Sequence, residues 1–202
     1  MCGRYTIGTE DENARMREMV EAANAALAPG MSITLRTDGE VFPTDIMPAL
    51  MGSGGEVRTV GMRWGFRTEQ GLVINARAET ALERPMFRAC AQERRCLLPA
   101  LGYYEWNARK ERFLFCRADR GVVCLAGLYR MGEDGSYEYV VLTREADGEA
   151  RAIHARMPLI VSSVGDWLFD RSAAERILSS GGETQLEIER QSPEQLSMFD
   201  EF

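Results

Sequence analysis

The feature that most constrains this chain is a run of closely spaced strand-like segments between residues 94 and 145. "RRCLLPALGYYEW" (94–106) reads as a strand leading into a turn. "RFLFCRA" (112–118), "GVVCLAGLYR" (121–130) and "YEYVVLTRE" (137–145) follow, rich in β-branched and aromatic residues and parted by short polar stretches. Such short connections leave no room for crossover helices, so these segments read as successive antiparallel strands. Residues 56–67 and 71–78 read as two more strands across a turn, 31–50 as extended chain broken by Pro43 and Pro48, and 184–189 as a last strand. A helix is expected over 9–27: Thr9 to Glu12 forms a capping box, Met16, Met19, Val20, Ala23 and Leu27 follow at helical spacing, and Pro29-Gly30 stops the pattern. Two more are expected over 79–93, despite Pro85, and over 162–180, ended by Gly181-Gly182. Strand and helix do not alternate regularly. The expected fold is therefore α+β, a single domain with a mainly antiparallel, bent or barrel-like sheet and flanking helices. Its expected extent is 2–182, followed by an acidic C-terminal segment, 183–202.

Charge and composition narrow the function. The 202 residues carry a net charge of −7, which argues against a protein that coats nucleic acid through bulk positive charge. Residues 183–202 hold six acids and one base, so the other 182 residues carry only −2. That leaves room for a small, locally basic site. A single histidine excludes a centre built on paired histidines, and no metal or cofactor is expected. Five cysteines without a C-x-x-C pair argue against a disulfide framework or a zinc ribbon. Cys90, Cys96, Cys116 and Cys124 read as core thiols. No apolar run reaches the length of a membrane span, and the polar, acidic start lacks a signal-peptide pattern, so a cytoplasmic protein without membrane association is expected.

Cys2 stands apart because of its position. Methionine aminopeptidases generally remove Met before a small side chain, which would make Cys2 the first residue. An N-terminal Cys carries an amine and a thiol on adjacent carbons. With pKa values of roughly 7.7–8.0 and about 8.5, both have a nucleophilic fraction near neutrality. The amine condenses with an aldehyde to an imine, and the thiol then closes a five-membered thiazolidine. Ser or Thr would give a more labile oxygen ring. His154, in "IHARMPLIV", suits a proton shuttle, or else is a histidine making one ordinary hydrogen bond. Glu105 lies between Tyr104 and Trp106, where partial desolvation would suit it to general acid/base work; its plainer reading is an exposed acid at a strand end. Asn75 and Arg77, two apart, share a strand face that either meets a ligand or faces solvent.

Taken together, "MCGRY", "WGF" (64–66), "NARAET" (75–80), "RCLLPALGYYEW" (95–106), "AGLYR" (126–130) and "HARMP" (154–158), in this order, resemble the SRAP family. These are the SOS-response-associated peptidase-like, abasic-site processing proteins. The resemblance runs from Cys2 to about Trp167. It implies binding of single-stranded DNA that bears an abasic site, and a covalent thiazolidine between Cys2 and the deoxyribose aldehyde. Glu105 would then move protons at the amine, the imine and the departing water. His154 would assist sugar-ring opening and reversal of the cross-link. Asn75 would hold the sugar and the N-terminus. An associated lyase activity follows, because an imine permits β-elimination of the 3′ phosphate.

By the same resemblance, Arg4, Arg77 and Arg156 are candidate phosphate contacts, and Trp64 and Trp106 candidate stacking or wedging aromatics. Pro43 and Met157 are candidates to line the DNA path. Trp64 has a second reading as a core tryptophan. Two departures from the family pattern stand out, "LTREAD" (142–147) and Leu101. Near the C-terminus, "QLSMF" (195–199) resembles the short peptide by which bacterial replication and repair proteins dock on the sliding clamp. Gln195, Leu196, Met198 and Phe199 would be its anchors. Two other functions compete: a cysteine peptidase that releases Met1, using Cys2 with His154 and Glu105, and a non-catalytic reader of replication forks. A monomer is expected.

Overall fold

The computed structural model describes residues 2–8, 14, 18, 21, 38–182 and 185–191. The helix expected over 9–27 lies outside them except for Ala14, Glu18 and Glu21, which are helical and exposed. Gln195, Leu196, Met198 and Phe199 lie outside them altogether.

The described strands form two main sheets. One is built on β1 (Tyr5–Gly8), β2 (Gly39–Val41), β9 (Gly102–Trp106), β10 (Arg112–Cys116) and β14 (Glu187–Arg190), in the order β14-β10-β9-β1-β2. The other joins β3 (Ile46–Ser53), β4 (Glu56–Trp64), β7 (Asn75–Arg77), β8 (Arg95–Ala100), β11 (Val123–Met131), β12 (Tyr137–Glu145) and β13 (Arg156–Pro158). Its order β11-β8-β3-β4-β12 returns to its start through pairing of β11 with β12, so the sheet curls into a partly closed ring. β5 (Phe66–Thr68) and β6 (Gly71–Val73) form a separate hairpin. The α+β class with a barrel-like, mainly antiparallel sheet is therefore observed. The exceptions are two parallel pairings on β12, with β4 over Glu138↔Arg63 and Tyr139↔Trp64, and with β7 from Val141↔Asn75 to Thr143↔Arg77.

Local chemistry explains where the elements differ from expectation. The 94–106 segment is two strands, β8 in one sheet and β9 in the other. The chain crosses between the sheets at Leu101 and Gly102, where a Cβ on Gly102 would lie 2.5 Å from the Phe115 carbonyl oxygen. Pro85 opens helix α1 (Pro85–Glu93) rather than interrupting a longer one, because its missing N–H costs nothing in the first turn. Ala78–Thr80 forms only a 3₁₀ turn ahead of it. After α2 (Ala150–Ile153), the helix expected over 162–180 divides into α3 (Val164–Leu168) and α4 (Arg171–Ser180). Asp170 causes the break by capping α4, its carboxylate accepting from Ala173 N–H at 2.9 Å. Gly181, at φ 88°, ends α4 in the left-handed conformation. Pro48 is tolerated within β3 because β8 pairs only farther along, at Leu50 and Met51. β14 lies inside the segment that the sequence assigns to the acidic tail, so the folded unit extends past residue 182 to the β10 edge.

Two apolar layers result. One, between the sheets, contains Cys2, Tyr5, Trp64, Tyr103, Phe115 and Tyr139; the other, under α1, α3 and α4, contains Phe66, Leu97, Leu142 and Trp167. Cys90, Cys96 and Cys116 are buried free thiols and Cys124 is half-buried. Trp64 is wholly enclosed, stacked 6.1 Å from Tyr139 and tilted against Tyr5 at 5.3 Å, and its indole N–H donates to the Ile74 carbonyl at 2.9 Å. It is a core residue, with no face on which to stack a base. Trp64→Ala is expected to cost roughly 3–5 kcal/mol of stability, measured by denaturant unfolding.

Candidate active site

Residues from four separate segments meet where the chain start enters the space between the sheets. Cys2 precedes β1, which is fixed between β9 and β2 through Tyr5↔Tyr103 and Tyr5↔Val41. Backbone pairing continues to Arg4, whose carbonyl accepts from Tyr104 N–H at 2.9 Å. Cys2 is thereby drawn fully inside, where its thiol makes a long contact to the Arg4 carbonyl at 4.0 Å. Asn75 approaches from β7. Its side-chain amide donates to the Cys2 carbonyl at 2.9 Å, tying the chain start to the ring sheet. The other end of that amide, Oδ1, is buried and accepts no hydrogen bond among the described residues, leaving an acceptor in the site.

Glu105 comes from β9 and is 4% exposed. His154 lies between α2 and β13, with Nδ1 3.9 Å from Glu105 Oε1. The backbone N–H of Arg156 donates to the same Nδ1 at 3.0 Å, and the Arg156 carbonyl oxygen stands at an equal distance. The imidazole is thus oriented by the main chain that follows it.

The electrostatics are uneven. Burial raises the pKa of Glu105 above the ordinary carboxylate range, while the charges of the amino terminus and His154 act in the opposite sense. Burial pushes the Cys2 thiol far above its usual range, and the negative charge of Glu105 adds to the shift. The thiol therefore rests protonated. Burial likewise raises Tyr103, whose enclosed hydroxyl has no hydrogen-bond partner among the described residues.

The candidate DNA-facing residues separate into three groups. Arg77 is exposed and makes no ion pair among the described residues. Arg4 is 31% exposed, pairs with Glu40 at 3.2 Å, and lies 4.4 Å over the Phe42 ring and 5.1 Å over the half-buried Trp106. Pro43 is half-buried beside Phe42. Those four can meet a ligand from solvent. Arg156 is 14% exposed and spent internally, and Met157 is 3% exposed in the core, where it cannot line a surface path. Trp64, as described, is enclosed. Sequence reading missed Arg112, which reaches Glu40 and lies 3.7 Å over the Tyr104 ring. It also missed Glu79, although Glu79 stands in the same short motif as Asn75. Among the described residues no cluster of three His, Cys, Asp or Glu could hold a metal ion.

Known proteins resemble this chain in sequence and in fold. The family model described as SOS response associated peptidase (SRAP) matches residues 1–193. Abasic site processing protein YoqW of Bacillus subtilis is 26% identical, over 89% of this chain and 85% of its own. Abasic site processing protein YoaM of the same organism is 28% identical over 69% of each chain. Abasic site processing protein YedK of Escherichia coli is 29% identical over 58% of this chain and 60% of its own. A phage-related protein of Bordetella bronchiseptica has the same fold, with a TM-score of 0.71, 19% identity and 94% coverage of both chains. A protein of Bacteroides thetaiotaomicron aligns with a TM-score of 0.69 and 19% identity over 97% of this chain and 94% of its own.

Proposed function

This chain belongs to the SRAP family, and from that premise we propose that it captures abasic sites in single-stranded DNA as a covalent thiazolidine on Cys2. The observation that carries the reading is the convergence at the chain start of Asn75, which holds the Cys2 carbonyl, with the paired Glu105 and His154. The names of the relatives, abasic site processing proteins, support the lesion as the substrate class.

Once Met1 is removed, the free amine of Cys2 attacks C1′ of the ring-opened deoxyribose. His154 assists ring opening by giving a proton to the ring oxygen. The carbinolamine loses water to an imine, with Glu105 protonating the departing hydroxyl. The Cys2 thiol then adds to the imine carbon, its proton passes through Glu105 to the nitrogen, and the five-membered ring closes. The balance is one amine, one thiol and one aldehyde to one thiazolidine and one water. Asn75 Oδ1, without a hydrogen bond among the described residues, accepts from the Cys2 amine or a sugar hydroxyl in this reading. If the imine instead loses a proton from C2′, the 3′ phosphate departs, so ring closure competes with strand cleavage and protects the DNA.

The same arrangement weighs against a cysteine peptidase. That chemistry needs a thiolate, favoured by a lowered thiol pKa, and burial here raises the Cys2 thiol. Covalent capture instead uses the thiol after the imine has formed. Incubation of the processed protein with an abasic oligonucleotide tests the proposal: an adduct stable to mild heat is expected, and absence of any adduct would overturn it.

DNA is held through placed cations rather than bulk charge. Arg77→Ala is expected to weaken non-covalent binding and lower the salt slope by about one, read from binding titrations at several salt concentrations. Contacts of this kind carry no base information, so sequence preference should be slight. The QLSMF segment is proposed to dock on a bacterial sliding clamp. A peptide of residues 190–202 should bind the clamp and lose binding with Leu196→Ala plus Phe199→Ala; no binding by the intact peptide would end that proposal.

A further inference from the structure

We propose that Glu79 is a positioning residue for His154, acting through Arg156. The proposal rests on the cross-linking chemistry above and deepens it.

Glu79 lies in the 3₁₀ turn directly after β7, four residues beyond Asn75. Its carboxylate grips the Arg156 guanidinium with both oxygens, at 2.8 and 2.9 Å. It also accepts the backbone N–H of Glu145 at 3.0 Å. Arg156 in turn donates to the Thr143 carbonyl at 2.6 Å and to the Thr143 hydroxyl at 3.3 Å. A planar guanidinium held at so many points is fixed in orientation as well as in place. Partial burial alone would raise Glu79, yet its bonds to Arg156 and to backbone N–H groups keep it below the ordinary carboxylate range. It therefore stays a full negative charge at neutral pH.

The main chain of Arg156 sets the His154 ring. Its N–H and carbonyl oxygen both lie 3.0 Å from Nδ1, the nitrogen that faces Glu105 at 3.9 Å. His154 itself sits on the extended link between α2 and β13, ahead of the ladder that begins where Arg156 meets Glu145. The Glu79 grip anchors that first paired residue. It also joins the segment that carries Asn75 to the segment that carries His154, so one carboxylate ties together two sides of the site. Glu79 is 43% exposed. Half-exposed ion pairs contribute little to stability, so its substitution should leave the fold in place and show in the chemistry.

Single-turnover cross-linking at saturating abasic single-stranded DNA tests this, beside non-covalent binding measured in a Cys2→Ala background. Glu79→Ala should slow adduct formation by roughly tenfold to a hundredfold, the range expected from misplacing a reacting group. Its DNA affinity in the Cys2→Ala background should be unchanged. Glu79→Gln keeps hydrogen-bonding oxygen toward Arg156 and should recover most of the rate. The Glu79→Ala, Arg156→Ala double variant should be no slower than Arg156→Ala alone, since both changes break one connection. An unchanged rate in Glu79→Ala overturns the proposal, as does a loss confined to DNA affinity or a Gln variant no faster than Ala. A wild-type protein that forms no adduct would count against the cross-linking reading itself, and the positioning role would fall with it.

Discussion

Cys2→Ala should abolish the heat-stable adduct with abasic DNA entirely. This is the largest effect expected, and its form is specific. Once Met1 is removed, the variant still presents an α-amine at its new first residue, so the imine remains accessible. What the variant lacks is the thiol that closes the ring. Its products should therefore be a borohydride-trappable imine and an increased fraction of cleaved strand, because β-elimination no longer competes with thiazolidine formation. Retention of a heat-stable adduct in Cys2→Ala would place the covalent bond on another residue. Cys2→Ser should fall between, with an adduct that forms and decays, since an oxygen ring opens more readily than a sulfur one. Denaturing gels run with and without borohydride separate these outcomes. The burial of Cys2 suits this division of labour. On the proposed mechanism, a thiol enclosed in the core should be kept from soluble oxidants and electrophiles until the imine forms.

Glu105→Gln is the second large effect. It should slow cross-linking by roughly 10²–10⁴-fold, the usual loss when a general acid/base is removed. That corresponds to about 3–5 kcal/mol of transition-state stabilisation. Gln has the shape of Glu and can hydrogen-bond, but it cannot carry a proton between amine, imine and thiol. The pH dependence gives an independent check. Glu105 must be ionised to accept a proton, and burial raises its pKa. The rate should therefore fall as pH is lowered through a value above the ordinary carboxylate range, and this limb should be missing in Glu105→Gln, while the limb set by protonation of the Cys2 amine remains in both proteins. Equal rates in the two proteins would remove Glu105 from the proton path.

Much of the fold was legible in the sequence where structure is local. β10, β11 and β12 stand close to the expected strands, because alternating apolar and β-branched residues between polar turns admit little else. The barrel-like sheet was expected, but the pairing that completes its ring was not legible. It depends on parallel pairing of β12 with β4, a partner distant in the chain and marked by no local pattern. The break before α4 was readable in principle from Asp170, a capping residue inside an otherwise helical pattern. Trp64 shows a different limit: indole serves equally in a core or on a DNA surface, and only its enclosure by Tyr5 and Tyr139 decides. Met157 misled for the same reason.

At the site, the chemistry of an amine next to a thiol pointed to Cys2 before any geometry was known. Asn75, Glu105 and His154 were named through resemblance, and the fold brings them around Cys2 from separate segments. Arg156 was named for a phosphate, but its guanidinium is held by the Glu79 carboxylate. The Glu79 grip could not be read in advance, since it exists only where β7, β12 and β13 lie side by side.

The most direct measurement of the central claim is the intact mass of the processed protein before and after incubation with an abasic single-stranded oligonucleotide. The expected product has the summed mass of protein and oligonucleotide less one water, survives mild heating, and yields on digestion a modified peptide that begins at Cys2. An unchanged protein mass, or an adduct that maps elsewhere in the chain, would contradict covalent capture by Cys2.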